Sequence, residues 1–416
     1  ILMDKRIYLC LAHMSGKEMG FIQEAFDTNW VVPLGPNVNG FEEDLKQFVG
    51  NGEVVALSAG TAAVHLALIA CGVKPGDEVI VQNFTFCASS HPITYLGAKP
   101  IFVGSEGETW NMDPVLLEGA IKDRIVKTGK KPKAIVPVAL YGMPYNCEKI
   151  MEISNRYEIP VIEDAAEGFG SKFDGKVLGT FGKFGVLSFN GNKMITTSGG
   201  GALICQNEED KNTIMWYATQ ARDAYPYYQH TAIGYNYRMS NICAGIGRGQ
   251  MTVAQAHIDH HKHVQSLYEE LLKDVKGVHI HKQPADKRYD SNFWLCTATI
   301  DEDVKVVGQE NAYQEVIKTA VGGAAGVIKA VNSATTDCQP NENVEALRVF
   351  MLNNKIEARP VWKPMHKQPV YVDAPCYTNG IEEDIFKIGF CLPAGPYVID
   401  DDVKYIVEKI KEAIIG

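Results

Sequence analysis

Short, near-continuously apolar runs alternate with helical segments along the first half of the chain. EVIVQ (Glu78–Gln82), KAIVPVAL (residues 133–140) and IPVIED (residues 159–164) are three such runs, and segments of helical periodicity separate them. Apolar strands joined by helices are what a parallel sheet covered on both faces requires. The sequence therefore predicts an α/β fold with a mostly parallel central sheet.

The pattern changes after about residue 255. A long helical pattern (residues 250–274) leads to the strand-like run SNFWLCTATI, and the later run DDDVKYIVEKIKEAI is amphipathic. Its apolar residues at helical spacing are Val403, Ile406, Val407, Ile410 and Ile414. We therefore predict a large α/β domain, residues 1–255, followed by a smaller α+β domain, residues 256–416.

Charge and cysteine usage exclude several classes of partner. Lys plus Arg number 40 against 50 for Asp plus Glu, a net charge of −10, whereas nucleic-acid binding needs a clustered basic surface. We therefore expect no nucleic-acid partner. The ten cysteines are scattered without a CxxC pair, which is typical of reduced thiols in the cytoplasm.

One uncharged stretch has the length of a membrane span. Residues 54–73 read VVALSAGTAAVHLALIACGV, and about 20 apolar residues are enough to cross a bilayer. However, Ser58, Gly60 and Thr61 interrupt the stretch as a strand–loop–helix junction would. We therefore predict buried core here and no membrane association.

Four features lie just after predicted strands, where parallel sheets bind their ligands. Gly60 and Thr61 open a helix whose N–H groups could bind an anion, or they could form a simple helix cap. Asp164 ends a strand, where it would need a cation, or it could open the next helix as its N-cap. Phe86 could stack on a flat ring or belong to the core. Lys193 could be a surface charge or a reactive amine.

Taken together, these features describe one ligand. The four features are a binding site for an anion, a buried carboxylate, an aromatic ring and an amine. Together they match pyridoxal 5′-phosphate, which carries a phosphate, a basic ring nitrogen, a planar ring and an aldehyde. In this interpretation Asp164 keeps a proton on the ring nitrogen. Lys193 forms a Schiff base with the aldehyde and then acts as a general base. The sequence therefore predicts this cofactor.

A histidine-rich segment, HIDHHKH (residues 257–263), suggests a different chemistry. His257, His260 and His261 share one helical face and could bind a metal ion. The sequence recruits no obvious carboxylate or cysteine to that face, so a solvated or interface helix on the surface is favoured. We therefore predict no metal site.

Several motifs resemble those of a known family. SAGTAAVHLAL, TFCASSHPITYLGAKPIFV, EDAAEGFGS, SFNGNKMITTSGGGAL and GYNYRMSN are similar in order and spacing to the DegT/DnrJ/EryC1/StrS nucleotide-sugar aminotransferases, which are fold-type I pyridoxal phosphate enzymes. The match covers essentially the whole chain. SFNGNK, GYNYRMSN and ARPVWKPMHKQPVY look like the branch that aminates C4 of a UDP-4-keto-6-deoxy-N-acetylhexosamine, as on the bacillosamine route.

The resemblance implies a role for each matching residue. Lys193 would form the Schiff base, Asp164 would pair with the ring nitrogen, and Glu167 would lie near the ring oxygen. Phe86 would stack on the ring. The residues that would meet the phosphate are Gly60, Thr61, Ala62, Ser188 and, across a dimer interface, Asn236.

Two further residues could contact the substrate. His366 matches a histidine at the sugar side, although its residue type alone favours an ordinary loop histidine. Arg238 offers a guanidinium to a donor carboxylate or a nucleotide phosphate, or it could form a surface ion pair. Because Asn236 would reach its ligand from the other subunit, the resemblance implies a homodimer with shared active sites.

The implied reaction transfers an amino group from glutamate to the keto carbon of a nucleotide-linked sugar. A pyridoxamine-dependent sugar dehydratase is one alternative, although those enzymes carry a histidine in place of the lysine. A non-catalytic, pyridoxal phosphate-binding regulatory protein is another. A dinucleotide oxidoreductase is disfavoured, because SAGTAAVH is not the GxGxxG fingerprint.

The chain also departs from the family pattern at several positions, which leaves details of the substrate pocket open. Ala139 stands where members often carry His, Gly104 stands where they often carry Asp, and SGGG (residues 198–201) replaces GEGG. Residues 302–339 form a longer connection than usual. They could be a lid, a packing element or a partner surface.

Overall fold

The computed structural model describes residues 5–314 and 338–415. Much of the long connection, residues 302–339, therefore lies outside the described residues. The helices are α1 Glu18–Asp27, α2 Pro36–Val49, α3 Gly60–Ala70, α4 His91–Tyr95, α5 Pro114–Thr128, α6 Cys147–Tyr157, α7 Glu208–Ala218, α8 Asn241–Met251, α9 Ala254–Leu272, α10 Glu342–Asn353, α11 Ile381–Ile388 and α12 Asp400–Ala413.

The strands fall into one large sheet, a second antiparallel sheet and short ribbons. They are β1 Glu53–Leu57, β2 Glu78–Gln82, β3 Lys99–Val103, β4 Ile135–Val136, β5 Ile162–Asp164, β6 Lys172–Phe173, β7 Lys176–Val177, β8 Phe184–Ser188, β9 Gly201–Cys205, β10 Val278–Ile280, β11 Tyr289–Asp290, β12 Cys296–Ile300, β13 Lys305–Val306, β14 Arg359–Pro360, β15 Cys376–Tyr377, β16 Gly389–Leu392 and β17 Ile414–Ile415.

The large sheet consists of two four-stranded parts that meet edge to edge. Their orders are β1-β9-β8-β5 and β15-β3-β2-β4. Two parallel bridges, Ile135 to Val161 and Val138 to Asp164, connect β4 with β5. The pairs β2–β3, β2–β4, β3–β15 and β5–β8 are all parallel. The predicted α/β fold with a mostly parallel central sheet is therefore confirmed.

Strand β9 is the exception, because it runs antiparallel to both β1 and β8. Residues 189–200 connect β8 to β9 without forming a helix, whereas a parallel pair usually needs a helical crossover. The register places Ser188 and Leu57 on either side of Gly201. As a result, the loop that carries Lys193 and the beginning of α3 lie at the same edge of the sheet.

The uncharged stretch, residues 54–73, is a strand, a loop and a helix, as predicted. Strand β1 is buried, and α3 is buried on most of its circumference, including at His65. A helix that is apolar on all sides belongs in the core of a large domain or in a membrane. Within the described ranges, no helix combines the length and the apolar character that crossing a bilayer requires.

The later part of the chain builds a second, antiparallel sheet in the order β10-β12-β16-β14. Helices α9, α10 and α12 cover it, and α12 buries Val403, Ile406, Val407 and Ile410 as predicted. Ile414 lies beyond the end of that helix, in β17. The domain boundary at residue 255 stays a prediction. Strand β15, which belongs to the predicted second domain, pairs with β3 of the large sheet.

The prediction of a surface helix for the histidine-rich segment was wrong for one face of α9. His257 and His261 are buried, and each has a ring nitrogen 3.1 Å from a backbone carbonyl oxygen, that of Met194 or Phe293. Burial lowers the pKa of His261 to about 3. These backbone bonds make the burial of two polar rings tolerable.

Candidate active site

A cavity of about 240 Å³ opens where the strands of the large sheet end. Its wall includes most of the residues that the sequence singled out. The predicted site residues that line it are Gly60, Thr61, Phe86, Asp164, Glu167, Ser188 and Lys193. Because β1, β2, β5 and β8 each deliver a loop to the same edge, residues far apart in sequence meet in one cavity.

Lys193 is enclosed rather than solvated. Its side chain is 13% exposed, and Nζ lies 3.6 Å from Glu167 Oε1. On another side, Nζ lies 4.0 Å from the centre of the Trp294 ring, within the range of a cation–π interaction. The Trp294 indole donates a hydrogen bond of 2.7 Å to the carbonyl of Asn192, the residue before the lysine. The surface-charge interpretation of Lys193 was therefore wrong.

Asp164 is a buried carboxylate with two neutral donors. Ser89 Oγ donates to Oδ2 at 2.6 Å, and the Ala166 N–H donates to Oδ1 at 3.1 Å. Burial raises the pKa of Asp164, while these two hydrogen bonds and the charge of Lys193 oppose the rise. Since no α-helix follows Asp164 directly, the N-cap interpretation was wrong.

Glu167 connects the lysine to a strained residue. Its Oε2 accepts a hydrogen bond of 2.7 Å from the Tyr141 N–H, and Tyr141 has a left-handed φ of 55°. The Tyr141 hydroxyl in turn accepts a 2.7 Å hydrogen bond from the backbone N–H of Trp362. Burial raises the pKa of Glu167, and the charge of Lys193 counteracts that rise.

The far end of the cavity is the beginning of α3. The residue before it, Ala59, provides no capping side chain, so the first N–H groups of the helix keep their capacity to bind an anion. A Cβ on Gly60 would lie 3.1 Å from Ser188 Cβ, and one on Gly201 would lie 2.4 Å from the Ala59 carbonyl carbon. Glycines at these two positions therefore let the beginning of α3 pack closely against β8 and β9. Ala62 is buried in the first turn of the helix.

Comparison with known proteins places the chain in a family. A sequence profile of the DegT/DnrJ/EryC1/StrS aminotransferase family matches residues 13–324 and 309–411. The chain belongs to this aminotransferase family. The Bacillus subtilis (strain 168) protein "Putative pyridoxal phosphate-dependent aminotransferase EpsN" is 40% identical over 410 residues, which cover 98% of this chain and 95% of that protein.

Two further relatives of this aminotransferase agree with the assignment. A GDP-perosamine synthase of Escherichia coli O157:H7 is 34% identical over 399 residues, covering 96% of each chain. The crystal structure of a DegT DnrJ EryC1 StrS aminotransferase from Brucella abortus superposes with a TM-score of 0.81 at 25% identity, covering 95% of each chain. The fold is therefore that of fold-type I aminotransferases.

Phe86 lies at the mouth of the aminotransferase cavity. Its side chain is about half exposed (48%), and its ring centre lies 5.2 Å from that of Trp362 at an angle of 52°. An exposed aromatic ring at the entrance of a cavity offers a face to a planar ligand. The interpretation of Phe86 as an ordinary core residue was therefore wrong.

Two predicted site residues, Asn236 and Arg238, do not line the cavity. Asn236 is exposed and forms an isolated antiparallel bridge with Thr219. Arg238 forms a similar bridge with Leu57. Its Nε atom is buried and finds no hydrogen-bond partner among the described residues. The ion-pair alternative for Arg238 therefore gains no support from a contact within 5–314 and 338–415.

His366 also lies outside the cavity, where it belongs to a hydrogen-bond network. Nδ1 lies 2.7 Å from Asn83 Nδ2, and Nε2 lies 2.9 Å from Glu383 Oε1. Because an amide nitrogen donates, Nδ1 must accept and Nε2 carries the proton. The second Asn83 N–H donates to the fully buried Glu382 at 2.6 Å. The geometry ties His366 to the beginning of the loop that carries Phe86.

The network also explains one departure from the family pattern. A Cβ on Gly104 would lie 3.0 Å from both carboxylate oxygens of Glu382, and the N–H of Ser105 donates to Glu382 at 3.2 Å. An aspartate at position 104 would place a second carboxylate against the first, and like charges at such distances repel strongly. Glycine at this position therefore accommodates Glu382.

Sequence reasoning missed three residues of the site. Trp294 and Trp362 line the cavity beside Lys193 and Phe86, and Ser89 donates a hydrogen bond to Asp164. Trp294 lies within the predicted strand SNFWLCTATI, and Ser89 lies in TFCASS, three residues after Phe86, which was predicted to stack. A polar or aromatic residue beside a strand end was the available signal. Local pattern alone could not show which of these face the cavity.

Proposed function

We propose that the chain is a pyridoxal phosphate-dependent aminotransferase that moves an amino group from an amino acid to the keto carbon of a nucleotide-linked sugar. The observation that carries the proposal is the enclosed amine of Lys193, which shares one cavity with Asp164 and Glu167. Membership of the aminotransferase family supports it, as does the 40% identity to the Bacillus subtilis protein.

The residues of the cavity fit the cofactor. The uncapped beginning of α3, together with Ser188, suits a phosphate. Asp164 is a desolvated carboxylate whose donors are neutral, so a protonated ring nitrogen would supply the cation that such a group needs. Lys193 would hold the aldehyde end. Phe86 would cover one face of the ring.

When bound, pyridoxal phosphate supplies an aldehyde that takes up and releases amino groups and a ring that withdraws electrons. Lys193 Nζ is the group that removes a proton from the amino donor and delivers one to the sugar carbon. Glu167 and the Trp294 ring stabilise its ammonium form between these transfers. Asp164 keeps the ring nitrogen protonated. The aromatic walls exclude water from these charges.

The substrates form the finer part of the proposal. Glutamate is the donor, and the acceptor is C4 of a 4-keto-6-deoxy sugar, specifically a UDP-linked N-acetylhexosamine. Support comes from the motifs SFNGNK, GYNYRMSN and ARPVWKPMHKQPVY. The Escherichia coli relative is named a GDP-perosamine synthase, so a test must compare nucleotides. Arg238 and His366 are the residues proposed nearest to the donor carboxylate or the nucleotide, and to the sugar.

We also propose a homodimer with shared active sites. Asn236 is exposed in the protomer, as a residue that reaches a phosphate in the other subunit would be. An apolar segment before α2 is also exposed at Trp30, Val31, Val32 and Leu34. Exposed apolar patches of this kind are typical of protein interfaces. Light scattering gives the mass in solution, and a monomer that is active would contradict the shared site.

A cytoplasmic location completes the proposal. All ten cysteines are unpaired, and burial raises the pKa of several of them, including Cys147 and Cys296. Buried, unreactive thiols are typical of proteins in a reducing compartment.

The test is reconstitution followed by product analysis. The purified protein, loaded with pyridoxal phosphate, should gain a visible absorbance band that is lost in Lys193→Ala. Mass spectrometry then follows UDP-, GDP- and dTDP-linked 4-keto-6-deoxy sugars incubated with glutamate. An aminated UDP sugar supports the full proposal. A deoxygenated product without an amino group indicates the dehydratase, and a bound cofactor without any turnover indicates a binding protein.

A further inference from the structure

Two buried hydroxyls form a chain that ends on Asp164. Ser89 Oγ lies 2.6 Å from Asp164 Oδ2, and Thr85 Oγ1 lies 2.8 Å from Ser89 Oγ. Ser89 has one hydroxyl proton, which it donates to the carboxylate, so Thr85 must donate to Ser89. Both side chains are buried, at 1% and 2% exposure. We call this pair the hydroxyl relay.

The relay donates a hydrogen bond to a carboxylate whose negative charge few other groups stabilise. Burial raises the pKa of Asp164, and the Ser89 hydrogen bond is the largest of the effects that oppose the rise. The other charged residues that line the cavity are Lys193 and Glu167. Lys193 favours the ionised form of Asp164, and the charge of Asp164 raises the pKa of Glu167. Without the relay, the protonation equilibrium of Asp164 would shift toward the neutral carboxyl.

We propose that the Thr85–Ser89 hydroxyl relay keeps Asp164 ionised, so that Ser89 is a positioning residue that controls the protonation of the cofactor's ring nitrogen through Asp164. The inference rests on the proposed function insofar as it places pyridoxal phosphate in this cavity. A neutral carboxyl cannot pair with a protonated ring nitrogen. The relay therefore sets the lower pH limit at which the cavity holds the cofactor tightly.

The chain offers a matched control. Ser90 is the next residue, it is also buried, and its hydroxyl bonds to the backbone carbonyl of Cys87 at 3.2 Å. Ser90→Ala removes one buried hydroxyl from the same short segment without touching Asp164. Ser89→Thr keeps the hydroxyl and should restore the behaviour that Ser89→Ala loses.

The first experiment uses the cofactor-free protein. Aspartate labelled with carbon-13 at the side-chain carboxyl gives a signal for Asp164, assigned by its loss in Asp164→Asn. Ser89→Ala should move the titration midpoint of this signal to higher pH, while Ser90→Ala and Ser89→Thr leave it in place. An unchanged midpoint in Ser89→Ala would overturn the relay, whatever the enzyme's activity.

The second experiment measures the dissociation constant of pyridoxal phosphate against pH by its absorbance. Ser89→Ala should weaken binding about tenfold near neutral pH, the loss of one hydrogen bond to a charged group, and should move the acid limb to higher pH. Thr85→Val should weaken binding less than Ser89→Ala does. When the two substitutions are combined, Thr85→Val should cause no further loss of affinity, because Thr85 acts through Ser89.

The outcomes separate the two proposals. Fully additive losses in the double variant, or a Ser89→Ala profile that matches the wild type, would overturn the relay and leave the proposed function intact. A wild-type protein that binds no pyridoxal phosphate would overturn the proposed function, and with it the relay's role toward the ring nitrogen.

Discussion

Strand β5 carries two consecutive buried carboxylates, and their surroundings differ. Glu163 accepts three backbone hydrogen bonds, from the N–H groups of Gly179 at 3.0 Å, Phe181 at 2.6 Å and Gly182 at 2.8 Å. These donors belong to one loop that closes over the carboxylate. Because successive side chains of a strand point to opposite faces, Asp164 lies on the other side and lines the cavity.

The comparison shows how a carboxylate that holds a loop differs from one that lines a cavity. Burial raises the pKa of both groups, so desolvation alone does not distinguish them. Three backbone donors occupy most of the acceptor capacity of Glu163 and hold the loop at residues 179–182. Asp164 accepts fewer hydrogen bonds than Glu163 and faces the cavity. A buried carboxylate with spare capacity beside a cavity can bind a cationic ligand.

The largest effect should come from the amine that faces Asp164 across the cavity. Lys193→Ala should lower turnover by about 10⁴-fold or more, because both the covalent partner and the general base are lost. Steady-state kinetics with glutamate and the accepted sugar measures this. Lys183→Ala, which removes a lysine paired with Asp210 at 3.7 Å, is the control and should keep activity. Substantial turnover in Lys193→Ala would contradict the assignment.

The second prediction separates the two carboxylates directly. Asp164→Asn should lower turnover about 10²- to 10³-fold, the usual cost of a lost electrostatic contact in an active site, while stability changes little. Glu163→Gln should destabilise the fold by about 1–3 kcal/mol, since it leaves backbone donors imperfectly matched, yet folded enzyme should stay active. Steady-state kinetics and urea unfolding of both variants measure the two effects. An inactive Glu163→Gln enzyme together with a strongly destabilised, active Asp164→Asn enzyme would contradict the comparison.

The third prediction concerns stability against pH. An unfolded carboxyl ionises at about pH 4, and burial raises the pKa of Glu163 and Asp164 in the folded protein. The stability that their protonated forms contribute is therefore complete below about pH 4 and is lost as the pH rises through the folded-state pKa.

The contribution of these two carboxyls to the unfolding free energy of the cofactor-free protein should accordingly fall as the pH rises above about 4. The fall should be shallower in Asp164→Asn and in Glu163→Gln than in the wild type. If pyridoxal phosphate binds as proposed, it should flatten the wild-type curve through Asp164 alone, because Asp164 lines the cavity and Glu163 does not. Equal slopes in all three proteins would show that neither carboxyl has a raised pKa.

The smallest effect should come from the aromatic wall of the cavity. Trp294→Phe keeps a ring face for Lys193 and removes the indole bond to the Asn192 carbonyl. A neutral hydrogen bond contributes about 1 kcal/mol, so cofactor affinity should fall about fivefold and the melting temperature slightly. Absorbance titration and thermal unfolding test this. Trp216→Phe, outside the cavity, is the matched control; a loss as large as that of Lys193→Ala would mean that Trp294 acts in the chemistry itself.

Much of the cavity could be predicted from the sequence because its residues follow strands. Gly60, Asp164 and Lys193 each lie near the end of an apolar run, and parallel strands bring such ends to one edge. The same logic predicted residues 54–73 as strand, loop and helix. The family motifs added Glu167 and Ser188, which local pattern did not mark.

The features that the sequence did not predict depend on contacts between distant parts of the chain. Trp294 reaches Lys193 from a position 102 residues beyond Asn192, and no periodic pattern encodes that. The polarity of His257 and His261 predicted exposure, yet both rings are buried, each with one nitrogen bonded to a backbone carbonyl. The antiparallel direction of β9 was likewise hidden, because its apolar sequence resembles that of the parallel strands around it.

The hydrogen bond between the Trp294 indole and the Asn192 carbonyl has a consequence for recombining related enzymes. It joins the turn before Lys193 to the segment that enters the second sheet, so the two halves of the chain are not interchangeable modules. A hybrid with its crossover between residues 192 and 294 should work well when the incoming half brings an indole to this position. It should bind the cofactor more weakly when that half brings a smaller ring.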